Sequence, residues 1–215
     1  MSATLKPKVL FIGFGHLAKS LLSKKLLNYA NIHALNSKGI IKNINLKKKI
    51  LNFNNDYNYI FFLIRPKTFL TSGNQFQKYL SKETLVISCM AGIKLSTIEK
   101  TLKSKKIVRI MPNLMALNNK SQTHIYMKNK NLFDSKLKKI LSTFGTIINV
   151  RNEDQINFAT SVFGSGPAFI AYIVNIFVKA SKKLAKPYHM NEKEVIELFK
   201  NVLETNYSSK MLDDF

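Results

Sequence analysis

The stretch that most restricts the possible folds is VLFIGFGHLAKSLL, Val9 to Leu22. An apolar run breaks at Gly13 and Gly15 and resumes with helical spacing at Leu17, Leu21 and Leu22. It reads as strand, tight turn and helix. Gly13 permits the turn, Gly15 removes a side chain where a pyrophosphate would approach, and Ala18 lets helix and strand pack closely. The backbone amides at the start of the helix would face the phosphates. A glycine at a strand end is by itself only a turn signal; the apolar residues before and behind this one point to a dinucleotide.

The remainder of the chain repeats the strand-helix alternation. Asn31–Leu35 reads as a second strand, Tyr59–Ile64 as one buried on both faces and stopped at Arg65-Pro66, and Lys67–Tyr79 as a helix weakened by Gly73. Thr84–Gly92 and Lys106–Asn113 read as further strands, and His124–Lys128 and Thr146–Val150 as two more around a helix over Leu132–Phe144. The pattern predicts an α/β fold with a Rossmann-type, doubly wound, mainly parallel sheet. Ligands lie at the carboxyl ends of such strands, so Gly13, Arg65, Ala91, Gly92 and Asn113 are expected at one edge.

From Glu153 onward only helix is expected. Gly164, Ser165 and Gly166 interrupt the pattern, leaving free amides, and Pro167 suits the first turn of a new helix running to about Lys186. Its first half is apolar nearly all the way round, which demands burial on every side. A tail of this size offers too few partners, so a second copy of the chain is expected to cover it. Asn191 would cap a last helix, with Glu192 and Glu194 in its first turn. The expected division is residues 1–151, a nucleotide-binding domain, and 152–215, a smaller all-helical dimerisation and substrate domain. Acidic residues mark the same division: none precedes Asp56, and most follow residue 150.

Composition excludes several classes. At 215 residues and 46% hydrophobic, the chain can bury a core. Its one cysteine, Cys89, forbids an intrachain disulfide and suits a reducing cytoplasm. No secretory segment opens it, and the apolar run Ala168–Val178 is too short to span a bilayer, so a soluble protein is expected. The net charge of +22 raises the question of nucleic acid, but the lysines are scattered and no aromatic platform accompanies the dense runs Leu46–Ile50 and Ser104–Lys106. A solvated lysine-rich surface accounts for them. His33, His124 and His189 have no metal-ligand spacing, and His16 fills the glycine loop rather than moving protons.

The second strand bears on cofactor choice. An acid about twenty residues past the glycines would hold the ribose 2'-hydroxyl of NAD. Here Asn36, Ser37 and Lys38 stand instead, two donors and a charge that suit a 2'-phosphate and hence NADP(H) over NAD(H), unless Asn-Ser-Lys-Gly is simply a polar turn. On this reading Lys38→Glu should reverse the preference.

Five stretches in order resemble the pyrroline-5-carboxylate reductase family: FIGFGHLAKSLL, its opening glycine turn; LIRP, similar to Val-Lys-Pro; VISCMAGI; RIMPN, similar to Arg-Ala-Met-Pro-Asn; and FGSGPAF, similar to Ser-Gly-Ser-Gly-Pro-Ala-Tyr. The resemblance implies a Rossmann domain joined to a helical dimerisation domain, and NAD(P)H-dependent reduction of 1-pyrroline-5-carboxylate, a cyclic imino acid, to L-proline in the cytoplasm. It carries cofactor positions onto Gly13, Gly15, His16, Leu17 and Ala18, onto Asn36 and Ser37, onto Ile64, Arg65 and Pro66, and onto Ala91 and Gly92. Asn113 is a candidate for the nicotinamide amide, or else a turn-forming side chain. Ser165 and Gly166 are candidates for contact with the ring or nicotinamide, with a helix cap as the alternative for Ser165. Leu114-Met115 replaces the family's Thr-Pro, and the chain ends at Phe215 before the family's Ser-Pro-Gly-Gly-Thr-Thr loop. A nucleotide-binding relative without catalysis, or a different imine or β-hydroxyacid reductase, are the other readings.

Overall fold

The computed structural model describes residues 6–50, 56–184 and 192–204. They fall into two compact units, the first ending at Ser165 and the second starting at Gly166.

The first unit is built on one nine-stranded sheet. In chain order the strands are β1 (Lys8–Ile12), β2 (Asn31–Leu35), β3 (Ile41–Asn43), β4 (Lys48–Ile50), β5 (Tyr59–Phe62), β6 (Leu85–Ser88), β7 (Ile107–Met111), β8 (Ser121–Tyr126) and β9 (Gly145–Asn149), and across the sheet they run β4-β3-β2-β1-β5-β6-β7-β8-β9. The five central strands, β2, β1, β5, β6 and β7, are parallel, so their carboxyl ends share one rim. The order in which strands are added reverses between β1 and β5, which opens a crevice there.

Period-two alternation sends the side chains of each central strand into two separate cores. Val9, Phe11, Tyr59 and Phe61 pack on one face beneath α1 (His16–Leu21), α2 (Lys24–Tyr29) and α5 (Ser135–Ser142), through Ala18, Leu21, Leu26, Leu137 and Ile140. Leu10, Ile12, Ile60 and Phe62 pack on the other face beneath α3 (Pro66–Ser72), a 3-10 helix (Gly73–Tyr79) and α4 (Leu95–Leu102), through Phe69, Phe76, Leu95 and Ile98. Phe62 meets Phe69 and Phe76 edge to face, at 5.5 and 5.7 Å between ring centroids. This is why YIFF carries no polar residue: both of its faces are covered.

Four features differ from the sequence reading. The lysine-rich run that begins at Leu46 folds as edge strand β4, paired antiparallel with β3; Ile41 opposite Ile50 faces the core, while Lys48 and Lys49 are exposed. Charged residues on an edge strand block pairing with another chain. β8 runs antiparallel to β7, and β9 is parallel to β8, so the far side of the sheet is mixed. The helix expected over Lys67–Tyr79 changes at Gly73 from α to 3-10, where the Gln77 side-chain amide donates to the Thr101 carbonyl at 2.7 Å and ties the segment to α4. Finally, α6 (Asp154–Ala159) and the π-helical turn Thr160–Gly164 belong to the first unit, since Ile156 and Ala159 close on Met111.

The second unit contains α7 (Gly166–Leu184) and α8 (Glu192–Glu204). Val178 and Val195 are buried, and the Phe177 and Phe199 rings meet at 5.1 Å. Most of the apolar surface of α7 remains open: Phe169, Tyr172, Ile173 and Ile176 are exposed, Tyr172 at 66%. The sequence demand for burial on every side is therefore unmet among the described residues. The helical run Asp154–Lys183 extends well beyond the apolar stretch Ala168–Val178 and has the length and composition of a membrane-crossing helix, as core helices of soluble proteins also can. The proposed Asn191 cap lies outside the described residues.

Candidate dinucleotide site

At the end of β1 the chain turns at Gly13, whose φ is +96°, a conformation that L side chains rarely adopt. Its amide donates to the Leu35 carbonyl at 3.0 Å, and the Leu63 amide donates to the Ile12 carbonyl at 2.8 Å. The tips of β2, β1 and β5 are thereby joined. A β-carbon on Gly13 would stand 2.8 Å from the Leu63 carbonyl oxygen, so this glycine is required by the protein itself. Gly15 is different. It precedes α1 with an ordinary extended backbone, and no atom lies within 4 Å of the position a β-carbon would take. No described residue beyond its chain neighbours crowds that position, which leaves room for something outside the chain.

That room is a cleft of about 800 Å³. Ile12, Gly13, Phe14, Gly15 and His16 form one end, and Leu35, Asn36, Ser37 and Gly39 another. Leu63, Ile64 and Arg65 close the third side where β5 leads into α3. Asn36 shapes its corner: its side-chain oxygen accepts from the Lys38 and Ile40 amides at 2.9 and 3.0 Å, a turn that fixes the end of β2. Ser37 is left exposed at the turn's tip.

The fourth wall was missed by the sequence reading. Thr68, Gln75, Phe76, Lys78 and Tyr79 line it. In a 3-10 helix residues three apart share a face, so Phe76 and Tyr79 turn into the core together and Gln75 and Lys78 share the exposed side. The apolar-polar spacing in NQFQKY carries that signal, which a 3.6-residue period obscures. The cleft is cationic: Arg65 and Lys78 line it, no Asp or Glu does, and no described carboxylate pairs with either.

Of the residues singled out in the sequence, the cleft brings together Gly13, Gly15, His16, Asn36, Ser37, Ile64 and Arg65. Leu17 and Ala18 lie behind it: Leu17 packs on the core and Ala18 is buried, at 1% exposure. Lys38 is exposed but does not line the cleft, and Pro66 is the first residue of α3. Ala91 and Gly92 follow β6, where Ala91 packs toward Met111 and Ile156, away from these walls.

Asn113 and Ser165 are engaged within the chain. The Asn113 side chain accepts from the Met115 amide at 3.0 Å and donates to the Phe163 carbonyl at 2.9 Å, and its own amide donates to Ser121 Oγ at 3.1 Å. It is a clasp between the end of β7 and the π turn. At the break where free amides are expected, Ser165 is engaged: its amide and its hydroxyl both donate to the Thr160 carbonyl, at 3.0 and 3.2 Å. Gly166 opens α7 in the second unit. A further buried link was not legible in the sequence. Glu153 Oε1 accepts from Arg109 Nη1 at 2.8 Å and from the Leu95 amide at 2.6 Å, joining β7 to the start of α4.

Beneath the cleft, His33 Nδ1 lies 2.9 Å from the Tyr57 hydroxyl and Nε2 lies 3.2 Å from Asn43 Nδ2. Burial, with Lys8 nearby, lowers the His33 pKa to about 4, against a smaller opposing effect of Asp56. The histidine is thus a neutral core group. Burial pushes the Cys89 thiol well above its usual range.

A mainly parallel sheet with a glycine turn at the joined tips of β2, β1 and β5, opening into a cationic cleft where the strand order reverses, is a Rossmann-type fold. The comparisons narrow it. The chain is 28% identical to a pyrroline-5-carboxylate reductase of Staphylococcus aureus over 96% of its own length and 79% of the relative's. The fold matches the Plasmodium falciparum pyrroline carboxylate reductase solved with NADP bound, with a TM-score of 0.72 and 22% identity over 95% of this chain and 83% of that one. It also matches the Streptococcus pyogenes 1-pyrroline-5-carboxylate reductase, with a TM-score of 0.71 and 19% identity over 96% and 83%. No protein-family model matches the chain. The resemblance carried by five motifs extends along nearly the whole sequence: over 96% of its length this chain is similar to pyrroline-5-carboxylate reductases.

Proposed function

We propose that this protein reduces 1-pyrroline-5-carboxylate to L-proline, with NADPH preferred over NADH, as a step of proline biosynthesis in the cytoplasm. The observation that carries the reading is the cleft at the β1-β2-β5 rim, with open space at Gly15 and cations unbalanced by any carboxylate among the described residues. Similarity to reductases of that name over 96% of the chain supports the choice of substrate.

The residues present fit a dinucleotide. The turn from Gly13 to His16 would take the pyrophosphate, Asn36 and Ser37 the adenosine ribose, and Ile64 with Arg65 the middle of the molecule. The cofactor, when bound, supplies the hydride that goes to the C=N carbon of the substrate. The protein's part is to hold the reductant's phosphates by backbone and positive charge. It must also press a cyclic imino acid against the nicotinamide, which needs donors rather than an acid-base pair. Ser165 and Gly166 remain our candidates for that contact, with Asn113 holding the turn beside them.

We further propose a homodimer or larger homo-oligomer, because a second copy would cover the open apolar side of α7. Sedimentation at micromolar concentration should show an assembly; a well-folded monomer there would contradict it.

The test of function is the loss of reduced-nicotinamide absorbance when purified protein, NADPH and pyrroline-5-carboxylate are mixed, with proline measured as product. Substrate-dependent oxidation is expected. NADPH binding without turnover would leave only a non-catalytic nucleotide-binding role.

A further inference from the structure

We propose that Lys78, on the 3-10 wall of the cleft, and not Lys38, on the turn after β2, is the cation that selects a 2'-phosphorylated nucleotide. The proposal rests on the dinucleotide reading of this cleft and goes beyond it, because neither the motifs nor the sequence spacing pointed to Lys78.

The geometry separates the two lysines. Lys38 belongs to a turn whose side chain-to-backbone bonds are made by Asn36, and it is absent from the cleft's lining. Lys78 lines the cleft, as do Asn36 and Ser37. A dinucleotide whose pyrophosphate sits at the Gly13–His16 turn extends its adenosine toward the end of β2, and Ser37 and the 3-10 helix both line the cleft that would receive it.

The position of the Lys78 ammonium is partly fixed. Its Nζ lies 5.2 Å from the ring centroid of Tyr79, which lines the same cleft and is anchored in the core. A cation over an aromatic face keeps its remaining donors available. No described carboxylate competes for it, and Gln75, on the same face, adds a neutral donor and acceptor. An ammonium with a free side toward a phosphate dianion forms a charge-assisted hydrogen bond, which a ribose hydroxyl cannot match. The pairing favours the phosphorylated nucleotide without excluding the other.

The experiment is calorimetric titration of the full chain with adenosine 2',5'-bisphosphate and with adenosine 5'-monophosphate, which differ only by the 2'-phosphate. The wild type should prefer the bisphosphate. Lys78→Ala should cut that preference by about tenfold or more, leave monophosphate affinity within about twofold, and not lower the melting temperature, since the side chain is exposed. Lys78→Arg should restore it, and Lys38→Ala should leave it intact. A loss of preference in Lys38→Ala but not in Lys78→Ala overturns the assignment, as does equal affinity of the wild type for both nucleotides. A wild type that binds neither nucleotide overturns the dinucleotide reading itself, a different result.

Discussion

The two halves of the sheet's carboxyl rim use similar residues to opposite effect. Over β2, β1 and β5, small residues and a polar turn leave a cleft bounded by Gly15, Ser37 and Arg65. Over β6 and β7, the strands also end in small or turn-forming residues, yet the segment 153–165 crosses them. It holds the rim shut through Glu153 on Arg109 and the Phe163 carbonyl on Asn113, and Ile156 and Ala159 close on Met111. A glycine-rich stretch is therefore not a site by virtue of its glycines. What lies over the strand end decides whether backbone groups face a ligand or are used by the protein.

The largest expected effect comes from closing the open half from beneath. Gly13→Val meets a positive φ and a backbone carbonyl at once, and should cost about 3 kcal/mol or more of stability and abolish nucleotide binding, read by chemical denaturation and titration. If that variant folds with normal stability, the joining of β2, β1 and β5 is wrongly understood.

Opening the closed half comes next. Glu153→Ala strands the buried Arg109 guanidinium, 1% exposed, and removes the acceptor at the start of α4, so a loss of about 3 kcal/mol is expected. NADPH affinity should stay near wild type after correction for unfolded protein. A selective loss of affinity would instead make the closed half part of the nucleotide site.

The strand beneath the cleft gives a smaller, pH-dependent effect. His33 has a folded pKa of about 4, against an unfolded value near 6.5, so the unfolded chain takes up the proton first as pH falls. The stability associated with neutral His33 is complete above about pH 6.5 and drains away toward pH 4, by about 1–3 kcal/mol in all. His33→Gln should show a shallower loss between pH 7.5 and 5 than the wild type; parallel curves would exclude His33 as the group responsible. Smallest is Ser165→Ala, which removes one hydroxyl bond to Thr160 and should cost under about 1 kcal/mol without changing NADPH affinity. Normal turnover in that variant would end its candidacy for substrate contact.

Much of the open half could be read from sequence because its signals are local. The Val9–Ile12 run, the glycines and the Tyr59–Phe62 block each report their own burial or turn. What escaped depends on partners distant in the chain. β3 and β4 are three-residue strands in which the exposed Lys42, Lys48 and Lys49 outweigh the few core-facing residues, so composition hid them. The antiparallel course of β8 is a property of its pairing with β7. Gln75 and Lys78 reach the cleft through a 3-10 turn, and Asn113 and Glu153 acquire their roles only from groups 50 and 44 residues away.

One pair of titrations addresses the central assignment most directly: NADPH added to the wild type and to Gly15→Val, with melting temperatures taken alongside. Because no described residue other than its chain neighbours lies within 4 Å of the added side chain's first carbon, the variant should fold as the wild type does. It should also lose at least about tenfold in NADPH affinity, the added carbons filling space meant for the pyrophosphate. Equal affinity in the two proteins, with equal stability, would contradict a dinucleotide in this cleft.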